Sequence, residues 1–148
     1  MTDRNTPQST PLQWAPVALS ALGIMVSGYL TVKRLTGGSL ACTRWAQCDV
    51  VNSSPYATIG GVPVASIGLA GYLVLFGLAA AAVQAQGLRR RQALLAGFIL
   101  SVGGLLFSIY LTYLELFVIE ALCSWCVASA IIILLLALVG RLNLRRAA

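Results

Sequence analysis

Cysteine is the residue type in this chain best suited to chemistry, and its four copies fall into two closely spaced pairs. Cys42 and Cys48 stand in a polar segment, whereas Cys123 and Cys126 enclose the C-x-x-C sequence Cys-Ser-Trp-Cys. Two cysteines three positions apart on the first turn of a helix can form a disulfide, and the helix N-terminus stabilises a thiolate there. The second pair is therefore typical of a redox-active dithiol, while the first pair also fits a structural disulfide.

The chain contains no histidine. This excludes histidine-based general acid–base chemistry and any metal or haem site with a histidine ligand. Four cysteines also fit a zinc site, but one pair begins an apolar helix, so we expect no metal. Two dithiols on one side of a membrane indicate an electron relay by thiol–disulfide exchange. No flavin or nucleotide motif is present to accept the electrons, and the acceptor expected by elimination is a lipid-soluble quinone.

The elements that position these cysteines are predicted to be membrane spans. The 148 residues are 59% hydrophobic and only 9% charged, with a mean hydropathy of +0.88. A soluble domain of this size could not bury so much apolar surface. We therefore predict an all-α protein, an integral membrane four-helix bundle with a long outer loop at Thr36–Gly61. Runs of roughly 20 apolar residues place its spans at about Trp14–Leu35, Val62–Ala85, Ala93–Val118 and Cys123–Val139.

The arginines predict the orientation of these spans. Most of them lie in the N-terminal tail, in a tight basic turn at 87–91, and in the C-terminal tail, which share one side of a four-span protein. That side is expected to be cytoplasmic, so both termini are cytoplasmic and the cysteines face outward. In a bacterium, the outer side of the inner membrane is the oxidising side. The predicted parts are a disordered tail (1–13), the membrane domain (14–140) and a basic tail (141–148).

The net charge of +6 does not indicate nucleic-acid binding. The basic residues stand at the ends of apolar runs rather than on one amphipathic face. Their arrangement is that of topology determinants in a membrane protein. The surroundings that we expect for this chain are therefore membrane lipid and quinone.

The chain resembles bacterial homologues of vitamin K epoxide reductase from about Leu22 to Leu136. The resemblance implies a four-helix transmembrane bundle around a quinone, with a short loop helix that caps the pocket from outside. The features that carry it, in chain order, are the two loop cysteines, Ser53-Ser54-Pro55, Gly61-Val62-Pro63-Val64 leading to Gly68 and Tyr72, Ser108-Ile109-Tyr110-Leu111, and the C-x-x-C.

The resemblance also implies roles for the four cysteines. Cys123 and Cys126 match an active-site dithiol in which Cys126 lies next to the quinone, either menaquinone or ubiquinone. Cys42 and Cys48 match a shuttle pair, in which Cys48 passes electrons to Cys123 and Cys42 meets an external partner. Many bacterial members carry a fused thioredoxin-like domain, whereas this chain ends at Ala148. We therefore expect a separate thioredoxin-fold partner of the DsbA kind.

Further candidates for the quinone pocket are Ser54, Tyr110, Tyr113 and Glu115. Ser54 matches a loop hydroxyl near the active site, and a turn or helix-cap role explains it equally well. Glu115 is an ionisable residue within a span, which suggests either a proton relay to the reduced quinone or a side chain that reaches the interface. The two tyrosines fit pocket walls and an interfacial aromatic belt equally well.

The chain departs from the animal enzymes at two positions. Ala130 stands where they carry a tyrosine, and Val64 stands where they carry an asparagine. Both changes remove polar groups that would hold a quinone or epoxide oxygen, so we expect disulfide bond formation rather than reduction of vitamin K or its epoxide. The alternative outside enzymology is a claudin-like, four-span structural protein with inert disulfides.

Overall fold

A computed structural model describes residues 11–39, 41, 42, 44 and 47–147. Every helix in this part of the chain except α2 is long and apolar enough to cross a membrane. The chain is therefore a multi-pass membrane protein, and the predicted all-α four-helix bundle is confirmed. The helices in chain order are α1 (Pro11–Thr36), α2 (Cys48–Ser53), α3 (Val64–Gln84), α4 (Gly87–Leu114) and α5 (Ser124–Ala147).

The four long helices form a ring in which α1 packs on α3, α3 on α4, α4 on α5, and α5 back on α1. Small residues permit the close approach that helix packing in membranes requires. The ring of Tyr72 on α3 lies directly against Gly23 on α1, in space that any side chain at position 23 would fill. Apolar side chains on the outer surface of the helix bundle, such as Leu73 and Ile99, are exposed, as expected where lipid is the solvent.

The loop between α1 and α3 forms a compact cap, defined here as residues 47–63. It consists of α2, a 3-10 turn at Pro55–Ala57, and an antiparallel hairpin of β1 (Thr58–Ile59) and β2 (Val62–Pro63). Gly60 and Gly61 connect the strands with φ angles of 59° and 83°, and positive φ at both turn residues suits the twist of a two-residue hairpin. The short helix implied by the resemblance is α2, whereas the hairpin was not predicted.

Several helices extend further than the apolar runs predict. α1 begins at Pro11, because proline is tolerated in the first turn of a helix. The basic segment 87–91 is not a turn but the start of α4, and only residues 85 and 86 connect it to α3. α5 likewise continues through the predicted basic tail to Ala147, since arginine is a good helix former. Apart from 11–13, the predicted disordered tail lies outside the described residues.

Candidate redox site

The C-terminal end of α4 leads the chain back towards the bundle through a π-helical turn, Glu115–Ile119. Such turns are rare and are frequent at functional sites. Glu115 is only 4% exposed, and its carboxylate accepts a hydrogen bond from the backbone N–H of Cys123 at 3.3 Å. Its carbonyl accepts another from the N–H of Ala121 at 3.0 Å. Glu115 therefore does not reach the interface but holds the segment that precedes α5.

Cys123 immediately precedes α5 and acts as its cap. Its sulfur accepts the backbone N–H of Cys126 at 3.3 Å, and its carbonyl accepts that of Val127 at 3.0 Å. The hydrogen bond with the Cys126 side chain, together with backbone N–H groups of the helix N-terminus, lowers the pKa of the Cys123 thiol against the opposing effect of burial. Cys123 is thus a fully buried thiol whose ionised form is stabilised by the helix that it caps.

The structure brings the two cysteine pairs together. Cys42 and Cys48 form a disulfide, whereas Cys123 and Cys126 are free thiols. Cys48 and Cys123 are 1% and 0% exposed and belong to one buried cluster, against which Cys42 and Cys126 pack. The innermost cysteine of each pair therefore lies in the same water-excluded region, although the two are about 75 positions apart in the sequence.

The backbone groups that immediately precede each cysteine of the shuttle pair are tied to the bundle. The N–H of Ala41 donates to the Tyr29 hydroxyl at 3.0 Å, and its carbonyl accepts the Trp125 indole N–H at 2.6 Å. The two aromatic rings are 4.8 Å apart. Directly before Cys48, the N–H of Gln47 donates to the Leu122 carbonyl at 2.7 Å. The loop is therefore docked on the start of α5. The sequence carries no signal for this docking, because backbone groups of any residue type can make such bonds.

Ser124, inside the C-x-x-C, lies between the two pairs. Its hydroxyl oxygen is 3.2 Å from the sulfur of Cys42 and 3.6 Å from that of Cys48. The sulfurs of a disulfide carry no hydrogen, so Ser124 is the donor. The spacing of the cysteines predicts positions 123 and 126 as site residues, but nothing in the sequence distinguishes the serine between them.

A cavity of about 350 Å³ lies between the cap and the bundle. Its walls are mostly apolar, with a few polar groups, as is typical of sites for small organic molecules. Glycines on α3 and α4 leave the space open. The residues that matter for its chemistry are Ser54 and Asn52 of the cap, Tyr72 on α3, Glu115 after α4, and Cys126 and Ser129 on α5.

The other candidates divide between the cavity and the outer surface. Ser54 lines the cavity, but its hydroxyl donates to the Val51 carbonyl at 2.8 Å and so also ends α2. Tyr110 and Tyr113 are not among the residues that line the cavity, and both are more than half exposed. The ring of Tyr110 packs on a phenylalanine of α4, and that of Tyr113 packs on a phenylalanine of the π-helical turn, as in an interfacial aromatic belt.

Tyr72 is a lining residue that we had not singled out as a site residue. Its hydroxyl lies 2.8 Å from the Ser129 carbonyl and 2.9 Å from the Ser129 hydroxyl. Ser129 directly precedes Ala130, the position where the animal enzymes carry a tyrosine. A polar pair is therefore present on this wall of the cavity, supplied by α3 and α5 together. A tyrosine in the middle of an apolar span, where a hydroxyl needs a partner, is the signal that could have revealed it.

Comparison with known proteins agrees with this arrangement. The model of the vitamin K epoxide reductase family matches residues 14–140. That range covers most of the chain and includes both cysteine pairs and the cap.

Proposed function

The chain belongs to the vitamin K epoxide reductase family, a family of oxidoreductases linked to quinones, and we propose that it oxidises a soluble thioredoxin-fold protein and passes the electrons to a membrane quinone. The observation that carries this proposal is the arrangement of the cysteines. A disulfide, Cys42–Cys48, packs with the buried Cys123, while Cys126 opens into an apolar cavity. Together they make a path from the protein surface to a lipid-soluble acceptor.

The first step is exchange with the partner. A thiolate of the reduced partner attacks the sulfur of Cys42, which is the less buried member of the disulfide, and Cys48 leaves as a thiolate. The second thiol of the partner then attacks the mixed disulfide. The partner departs oxidised, and Cys42 and Cys48 are both reduced.

The second step transfers these two electrons within the membrane protein. The Cys48 thiolate attacks the sulfur of Cys123 in a Cys123–Cys126 disulfide, and Cys126 leaves as a thiolate. Cys42 then attacks Cys48, which restores the Cys42–Cys48 disulfide and releases Cys123. A shuttle disulfide beside two free thiols, the arrangement in this structure, is the product of this step.

The quinone is the second substrate, and menaquinone and ubiquinone are both of the required chemical class. It accepts two electrons and two protons, while Cys123 and Cys126 return to a disulfide. Cys126 is the thiol that lines the cavity, and Cys123 is not among the lining residues. The buried carboxyl group of Glu115 also lines the cavity, which supports a role as the proton donor to the quinone as the charge develops.

The proposed location follows from the arginines. The positive-inside rule places the α3–α4 connection and both termini in the cytoplasm of a bacterium, with the cysteines on the outer side of the inner membrane. That side is oxidising and holds thioredoxin-fold catalysts of disulfide formation. The protein would keep such a partner oxidised and thereby support disulfide bond formation.

The test is quinone reduction by the purified protein, driven either by a reduced DsbA-like partner or by a small dithiol. Cys126→Ala is expected to be inactive with both reductants. Cys42→Ala is expected to fail with the protein partner and to retain turnover with the small dithiol, which can reach the inner pair directly. A wild-type protein that reduces no quinone, and whose disulfide resists both reductants, would overturn the proposal in favour of a structural membrane protein.

A further inference from the structure

The hydroxyl of Ser124 stands closer to the shuttle disulfide than any other side-chain donor recorded in the described part of the chain. Its recorded hydrogen bonds go only to the sulfurs of Cys42 and Cys48, at 3.2 Å and 3.6 Å. A disulfide sulfur is a weak acceptor, whereas a thiolate is a strong one. The hydrogen bond therefore strengthens when Cys42 becomes a thiolate.

We propose that Ser124 is a catalytic residue of the internal exchange, whose hydroxyl holds the thiolate of Cys42 against the Cys48 sulfur. This inference rests on the proposed function, because the exchange between the two pairs is its premise. When the thiolate of Cys42 attacks Cys48, a bond forms between these two sulfurs and the bond from Cys48 to Cys123 breaks. The electron pair of the broken bond stays on Cys123, and in the reverse direction it stays on Cys42.

The two thiolates in this exchange are stabilised by different groups. The thiolate of Cys123 is stabilised by the N-terminus of α5, where the N–H of Cys126 donates to its sulfur. Cys42 lies in the loop, and the donor that the structure places at its sulfur is the Ser124 hydroxyl. Each sulfur that alternately attacks and leaves therefore has a hydrogen-bond donor, and both donors belong to the same first turn of α5.

Capping of α5 does not account for Ser124. Serine commonly caps a helix by accepting a backbone N–H, but Cys123 already occupies that position and its sulfur accepts the N–H of Cys126. Ser124 is the first residue of the helix proper. The neighbouring Trp125 donates to the Ala41 carbonyl, and this bond holds Cys42 next to Ser124.

Other ionisable groups around Cys42 set the background for its titration. Positively and negatively charged groups both occur on the elements around the two cysteine pairs. These groups are Tyr29, Lys33 and Arg34 in α1, Arg44 in the loop, Asp49 in α2, Glu115 and Glu120 between α4 and α5, and the thiol of Cys123. Because every protein in the proposed test carries Cys126→Ala and no further substitution replaces one of these groups, this background is the same in every variant.

The experiment uses the full-length protein with Cys126→Ala, which retains the shuttle disulfide and Cys123. Attack of Cys123 on Cys48 frees Cys42, and a pulse of iodoacetamide then traps it. Mass spectrometry of the peptides gives the rate at which Cys42 is alkylated across a pH series. This measurement needs neither quinone nor the thioredoxin-fold partner.

Two substitutions of matched shape isolate the hydroxyl, since Ser124→Thr keeps it and Ser124→Val replaces it with a methyl group. Loss of one hydrogen bond to a charged group is expected to slow trapping about tenfold. The pH midpoint should rise by about one unit, because a tenfold change in thiolate stability equals one pKa unit. Ser124→Thr should resemble the parent, and so should Ser20→Ala, which removes a hydroxyl bound to its own helix far from the cysteines.

The outcomes separate the two proposals. If Cys42 is never trapped even with Ser124 in place, the internal exchange does not occur, and the proposed relay fails along with the role of the serine. If Ser124→Val and Ser124→Thr trap Cys42 at the same rate and with the same pH midpoint, the relay stands and only the catalytic role of Ser124 is overturned.

Discussion

The two ends of the helix ring differ in how far side-chain hydrogen bonds join one segment of the chain to another. Towards the arginine end, where α3 meets α4, the hydroxyl of Ser101 donates to the Gly97 carbonyl of its own helix at 2.8 Å, and the amide of Asn143 on α5 holds the Leu12 carbonyl of α1. At the cysteine end, polar side chains reach across elements, as Ser124 does to Cys42 and Trp125 to Ala41. A hydroxyl bound to its own helix satisfies a local need in an apolar environment. Bonds across elements instead fix the relative positions of segments that are distant in sequence.

The two ends of the helix ring also differ in the size and lining of their cavities. The arginine end encloses about 40 Å³, among apolar and small side chains such as Phe98 and Ala82. The cysteine end encloses about 350 Å³, with a thiol and a carboxyl group in its wall. Close packing is the default in protein interiors. The open space beside Cys126 therefore indicates a site for a ligand, and four pairs of variants test the contrast between the ends.

The largest effect is expected at Glu115. Glu115→Gln keeps an oxygen that can accept the N–H of Cys123, but it cannot carry a proton. Quinone reduction should fall by about 100-fold, the lower range for general acid–base catalysis. At the arginine end, Asn143→Gln changes a buried side chain that holds the Leu12 carbonyl, and turnover should stay near wild type. Unchanged turnover of Glu115→Gln would end the proton-relay role.

The next largest effect is expected from filling the large cavity with a side chain. Gly103 lines the large cavity, and a Cβ atom added there would meet no neighbour within 4 Å. Gly103→Leu should therefore fold and project into the cavity, raising KM for quinone about tenfold through a loss of about 1.4 kcal/mol of binding. Gly77→Leu places the same side chain on an exposed part of α3 and should leave KM unchanged. Equal KM values in steady-state assays would show that the quinone binds elsewhere.

A smaller effect is expected from the docking of the loop. Trp125→Phe keeps a ring beside Tyr29 and removes the donor to the Ala41 carbonyl. Loss of this hydrogen bond should cost about 1 kcal/mol of loop docking and slow reoxidation of a reduced partner several-fold. Trp14→Phe alters a half-exposed ring at the arginine end and should have no effect on that rate. Equally slow reoxidation of the partner by both variants would mean that docking of the loop at the cysteine end is not the cause of the slower rate.

The smallest effects are on stability. Tyr72→Phe removes the hydroxyl that joins α3 to Ser129 on α5, so the free energy of unfolding should fall by about 1 kcal/mol. Ser101→Ala removes a hydroxyl bound only within α4, and its change should stay within about 0.5 kcal/mol. Thermal unfolding of the purified variants in one detergent measures both. Equal losses would contradict the view that a hydrogen bond between helices stabilises the bundle more than one within a single helix.

The sequence by itself determined the class of the protein and the placement of its cysteines. Hydropathy and run length are local properties, so four spans could be read directly from them. An even number of spans between the two pairs then places both pairs at the same end of the bundle. The ends of the helices were less predictable, because good helix formers such as the arginines of 87–91 and of α5 continue a helix beyond the lipid.

Only the tertiary structure decided which side chains meet. Glu115, Tyr110 and Tyr113 all follow one another closely near the end of α4, yet only Glu115 lines the cavity. That outcome depends on the rotation of the helix and on the π-helical turn, and neither has a signature in hydropathy. The contact of Ser124 with Cys42 likewise joins residues 82 positions apart. It exists because the docking of the loop on α5 sets the distance between them, and spacing along the chain does not encode that distance.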